Sequence, residues 1–222
     1  MVSPNRSNNF DILRLFLAIL VFFAHWSILT SQNIEYFLFH LSGFAVDSFF
    51  IVSGFLIFWS FDNEQNKKHF YVKRFFRIFP LYGILILLQT LFFIVFSAGS
   101  ITEILRYFIS NILFLNFLAP SVSHTFTNFQ VNAINGSLWT LKNEIAFYLL
   151  VPFLFKFYKK FGKSFLLFIY GLSVIYMFVI DTLGYEKLIV QFPAQLRLFT
   201  TGIMLYIFFK EPLADFQNQS LI

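Results

Sequence analysis

The sequence predicts an all-α protein: a polytopic transmembrane helix bundle of about six crossings, with one further re-entrant or interfacial helix. Two observations lead there. Of its 222 residues, 58% are hydrophobic and only 12% charged, with a mean hydropathy of +0.73, which does not suit a surface facing water. The 37 phenylalanines add bulk that a soluble core of this size would not enclose, whereas lipid accepts apolar side chains around the whole circumference of a helix.

Apolar stretches long enough to cross about 30 Å of hydrocarbon lie at 11–30, 37–60, 79–98, 138–158, 164–180 and 194–209. The first follows the polar start SPNRSNN and holds Asp11 and Arg14, with no small-residue cleavage site after it. It therefore reads as a retained span. The second carries Gly43, Asp47 and Gly54 near one helical face, where another backbone can approach. A shorter apolar piece, 104–119, is bracketed by Glu103, Arg106 and Pro120. The fourth crossing opens at Gly136 and Ser137, with Trp139 as an interfacial anchor.

Lys67, Lys68, Lys73, Arg74 and Arg77 precede the third span, and Lys156, Lys159, Lys160 and Lys163 follow the fourth. Both clusters mark cytoplasmic ends, so 104–119 crosses an even number of times, and a re-entrant or interfacial helix is expected there. The same parity puts both termini in the cytoplasm of a multi-pass protein of the cell (inner or plasma) membrane. It leaves the polar loop SVSHTFTNFQVNAING, 121–136, on the outer face.

The net charge of +5 resides beside the spans, where positive-inside orientation accounts for it without nucleic acid. With no cysteine, disulfides and thiolate chemistry are excluded, and catalysis rests on His, carboxylate or hydroxyl groups. His40, His69 and His124 sit near span ends or in loops with no ligand spacing, so no metal is assigned. No Gly-rich phosphate loop, nucleophile elbow or nucleotide fingerprint is present.

Ionisable groups inside a span are site candidates because each costs several kcal/mol unless it faces protein or water. Four stand out: Arg14, His25, Asp47 and Glu144. Arg14 and His25 are about three turns apart on one face, separated by roughly 16 Å of rise. The small residues Ala18 and Val21 lie between them, leaving room for a slender chain. Arg14, so close to a helix end, also has the option of snorkelling to headgroups. Asp47, at a depth similar to His25 on the next span, is within range of an imidazole hydrogen bond or of another partner. Glu144 falls about two turns into its span and is expected to point into the bundle, with Lys142 on another face and only loosely paired.

Four segments together resemble the acyltransferase 3 family. They are FDILRLFLAILVFFAHW with Arg14 and His25; GFAVDSFFIVSGFLI with Asp47, Phe49, Phe50, Ser53 and Gly54; KRFFRIFPLY with Arg74, Arg77, Ile78, Pro80 and Tyr82; and SLWTLKNEIAFYLLVP with Trp139, Glu144, Phe147 and Tyr148. A fainter likeness, LRLFTTGIML, surrounds Arg197 and Gly202. Ile145 and Ala146 stand where many family members carry a second Glu and a Gln. The resemblance implies a single membrane-embedded domain over 1–222 that lacks the family's closing helices.

The resemblance also implies transfer of an acyl group, acetyl above all, from cytoplasmic acyl-CoA to a hydroxyl of an envelope polysaccharide or lipid-linked sugar. Arg14, Arg74 and Arg77 are expected to hold the donor's phosphates. His25, buried and neutral, is expected to act as general base or transient acyl carrier, oriented by Asp47 or Glu144. The bilayer and an envelope carbohydrate are the expected partners, and the oligomeric state stays open. A catalytically inactive fragment and a non-enzymatic transporter remain alternatives.

Overall fold

The computed structural model describes residues 9–30, 35–64, 66–96, 99–122, 136 and 138–219; side chains are described there except at 9, 11, 27–30, 35–40 and 211–219. Among these residues the chain is helical and free of strands. The helices are α1 (Asn9–Thr30), α2 (Glu35–Asn63), α3 (Lys67–Val95), α4 (Ile101–Ile112), α5 (Leu138–Phe161), α6 (Lys163–Thr182), α7 (Glu186–Ile189) and α8 (Phe192–Gln219), with a 3-10 turn at Asn116–Leu118. Among the described residues, five segments are long and apolar enough to cross a membrane: Leu41–Asn63, Lys67–Val95, Leu138–Phe161, Lys163–Thr182 and Glu186–Lys210. The apolar stretch described in α1, Ile12–Trp26, is shorter, but the helix itself has 22 residues, about 33 Å of length. The protein is thus a multi-pass helical membrane protein.

The helix ends follow local chemistry. Asn66 caps α3, its side chain accepting from the His69 amide at 3.2 Å. Ser100 and Glu103 close a capping box on α4. Gly162, at φ +70°, makes the tight turn between α5 and α6, a conformation that disfavours residues with a Cβ. With 12 residues, α4 reaches only about 18 Å, short of the roughly 30 Å of a hydrocarbon core. It buries Ile104, Tyr107 and Asn111, and the Tyr107 hydroxyl donates to Gln89 Oε1 at 2.7 Å.

Three helices enclose the centre. Phe199 of α8 lies 4.8 Å from the Phe50 ring of α2 and stacks at 4.3 Å on Phe147 of α5. This aromatic column continues through Phe58, Phe61, Phe155 and Tyr206. α2 and α8 touch backbone to backbone: a Cβ on Gly54 would lie 2.2 Å from the Phe199 carbonyl oxygen, and one on Gly202 would lie 2.0 Å from that of Ile51. Gly54 therefore meets the expectation of a close backbone approach. Gly43 does not: it is exposed and a Cβ there would meet nothing within 4 Å, because the α8 crossing is centred further along α2.

The basic clusters share one end of the bundle. There Lys210 and the Tyr206 hydroxyl both bind Asp62, and Glu64 accepts from Lys73 at 2.6 Å while also meeting His69. The Lys73 hydrogen bond, followed by that of His69, holds the Glu64 carboxyl below the usual range. The start of α5, the short α7 and the start of α8 lie together at the opposite end.

Candidate functional site

Arg14 does not snorkel. It is 9% exposed, turned into the bundle with its guanidinium 5.1 Å above the Phe49 ring. Its Nη2 donates to Ser53 Oγ at 3.3 Å and lies 3.8 Å from Glu144 Oε1. Glu144 is 8% exposed and also accepts from the Tyr148 hydroxyl. α1, α2 and α5 are thereby tied by one buried cation, one carboxylate and two hydroxyls, so each charge has compensation within the apolar interior. Arg14 Nε remains buried with no hydrogen-bond partner.

Along the same face of α1, Leu17, Ala18, Val21 and His25 line a cavity of about 200 Å³, closed on its other side by Phe49, Phe50 and Trp139. The small-residue stripe thus borders open space. His25 is exposed at this cavity, which corrects the expectation of a buried imidazole: its neighbours Phe22, Phe23 and Trp26 are exposed as well, so this stretch of α1 is uncovered. Its Nδ1 lies 2.8 Å from the Val21 carbonyl oxygen. A carbonyl oxygen only accepts, so Nδ1 carries a proton, which leaves Nε2 as the nitrogen able to present a lone pair. The tautomer needed for a general base comes from the helix's own backbone.

Neither expected carboxylate orients that ring among the described contacts. Glu144 engages Arg14, and Asp47, half-buried, lies within the electrostatic reach of Arg197 on α8. α8 occupies the flank of α2 on which Asp47 sits, and periodicity along α2 alone does not reveal this neighbour.

Arg74 lies toward the basic end, its guanidinium 5.5 Å from the Phe70 ring and 5.7 Å from that of Tyr148. Its Nε is buried without a partner, and the residue lines a groove of about 210 Å³ with Tyr71, Phe75 and Tyr148. Arg77, one turn on, is exposed and acts electrostatically with Arg74 on Tyr148. A guanidinium beside a groove suits an anion such as a phosphate. Tyr148 thus touches both charged groups, Glu144 directly and Arg74 through its ring. Sequence reasoning matched Tyr148 to a motif but gave it no role.

At the opposite end, Lys142 is not paired with Glu144. Its ammonium binds Gln191 Oε1 and sits 4.9 Å from the Phe117 ring centre. Trp139 forms part of the His25 cavity wall. Among the described residues no group of three or more His, Cys, Asp or Glu is arranged to hold a metal ion. His69 binds Glu64. His124, the side chain of His40 and most of the loop at 121–136 lie outside the described residues.

The chain matches the acyltransferase domain family over residues 7–222. Relatives include nodulation protein 10 of Rhizobium leguminosarum bv. viciae, 31% identical over 73% of this chain and 48% of its own length. An O-acetyl transferase of Shigella phage Sf6 is 37% identical over 66% of this chain and 45% of its own length. The acyltransferase MdmB of Streptomyces mycarofaciens is 27% identical over 67% and 39% respectively. The chain therefore spans less than half the length of each of these relatives. No solved structure matches it. A family match along almost the whole chain, falling on a helical membrane bundle that carries all four of the motifs, establishes that the protein belongs to the acyltransferase 3 family.

Proposed function

We propose that the protein is a membrane-bound O-acyltransferase that moves an acyl group, in the first place acetyl, from cytoplasmic acyl-CoA to a hydroxyl of an envelope polysaccharide or lipid-linked sugar. The observation that carries this reading is the cavity on α1, bordered by Ala18 and Val21 and ending at His25, whose Nδ1 is bound to the Val21 carbonyl and whose Nε2 is left for a substrate. Family membership supports the reaction class, and the relative named an O-acetyl transferase favours acetyl.

In this reading the basic end faces the cytoplasm, as do both termini, because Lys and Arg are retained on that side. Arg74 and Arg77 receive the donor's phosphates, which suit their guanidinium forks. The slender arm of the donor follows the small-residue face past Arg14 toward His25, a rise of about 16 Å. His25 Nε2 takes the proton of the acceptor hydroxyl while the oxygen attacks the thioester carbonyl. The carbon–sulfur bond then breaks, the ester remains on the sugar, and the leaving thiolate recovers the proton from the imidazolium. Glu144 and Asp47 are positioning residues here, fixing Arg14 and Arg197 rather than the imidazole itself.

The test is incubation of the purified protein with acetyl-labelled acetyl-CoA and an envelope saccharide. Label in an ester on the saccharide, with one CoA released per ester, is the expected result. Passage of either compound across sealed vesicles without ester formation would instead identify a transporter, and absence of both an inactive fragment.

A further inference from the structure

The end of the bundle opposite the basic clusters holds a second cavity, of about 410 Å³, which the mechanism above does not use. Asn116, Phe117, Trp139, Lys142, Lys187 and Gln191 contribute to its walls. Its size falls at the lower end of small-ligand sites, which range over roughly 300–1,000 Å³. Trp139 belongs to this cavity and also to the one that ends at His25, so its indole borders both.

The walls are held in place. Gln191 accepts from the Lys142 ammonium and donates from Nε2 to the Lys187 carbonyl at 2.9 Å. Asn143, wholly buried, donates to the Val190 carbonyl at 2.9 Å and so fixes α5 against the α7–α8 turn. Two lysines therefore line one basin. Among the described residues neither has a carboxylate within salt-bridge distance. Lys142 is half-buried, with only an amide oxygen and an aromatic face for company. A partly desolvated cation in this state calls for an anion, and the described residues do not supply one.

We propose that this basin is the acceptor subsite and that the acceptor is an anionic saccharide, its carboxylate or phosphate lying between Lys142 and Lys187. The sugar ring lies against the aromatic surfaces of Phe117 and Trp139, which brings a hydroxyl past Trp139 toward His25. This deepens the acyltransferase reading and rests on it for the word acceptor. The charge preference of the basin stands on the lysines alone.

The experiment measures binding and turnover separately on protein in nanodiscs of zwitterionic lipid, with methyl glucuronoside, glucose 6-phosphate and neutral methyl glucoside as probes. At least one acidic probe is expected to bind about tenfold or more tightly than the neutral one, the gain that a single ion pair of about 1.4 kcal/mol supplies. The preference should shrink as salt rises, and the better acidic probe identifies carboxylate or phosphate. Lys187→Gln, at an exposed position, and Lys142→Gln should each abolish most of the preference, with Lys142→Arg restoring it as a check on folding. Equal binding of all three probes, or lysine variants that weaken neutral and acidic probes alike, would overturn the proposal. Charge-selective binding without acyl transfer would leave the basin assigned and reject the acyltransferase reading. Transfer with no charge preference would do the reverse.

Discussion

Arg14 and Glu144 are each about nine-tenths covered and 3.8 Å apart, and removing one of them strands the other. At that separation and an effective dielectric near 20, their attraction is about 4 kcal/mol. Losing one partner of a buried pair typically destabilises by roughly 3–5 kcal/mol. Arg14→Met should fall within that range, softened by the Tyr148 hydroxyl that still serves Glu144. Glu144→Gln leaves Arg14 with Ser53 and the Phe49 face alone. The double variant removes both charges and should recover at least about 2 kcal/mol relative to the sum of the single losses. The assay is reversible unfolding of the four proteins in mixed micelles, followed by helical circular dichroism. A coupling below about 0.5 kcal/mol would mean that the two groups are independent, and would refute the tie between α1 and α5.

Gly202→Ala places a methyl 2.0 Å from the Ile51 carbonyl oxygen and should destabilise by about 3 kcal/mol as α2 and α8 are forced apart. Gly43→Ala meets open space and should stabilise by about 0.5 kcal/mol through helix propensity alone; thermal unfolding distinguishes the pair. Ser100→Ala removes the capping box of α4 and should lower its local stability by about 1 kcal/mol, read as faster amide exchange confined to that helix. Arg74→Gln should raise KM for acetyl-CoA about tenfold or more with little change in kcat; an unchanged KM would reject the phosphate role.

The helical membrane bundle was legible because hydrophobic runs and lysine clusters report directly on lipid and on helix ends. The face shared by Arg14, Ala18, Val21 and His25 was legible for a similar reason: a single helix carries it, and its periodicity is in the chain. Which helix lies against which was not. Asp47 was placed by depth alone, with a partner on His25 or elsewhere left open, and the electrostatic influence of Arg197 from α8 was not visible in the chain. Glu144 was expected to face inward and does, but its partner on α1 emerges only once α5 stands beside it. The basin is assembled from the start of α5, the short α7, the α8 junction and the segment after α4. No single periodic segment carries a signal for it. Gly43 and Gly54 looked alike in sequence and differ only in whether α8 crosses there.

Acetyl transfer by membranes carrying His25→Ala bears most directly on an imidazole acting as base at the mouth of the α1 cavity. The expected result is a loss of at least about a hundredfold in kcat, with the variant inserted at the normal level and the Arg14–Glu144 coupling intact. Transfer at the unaltered rate in that variant would contradict it.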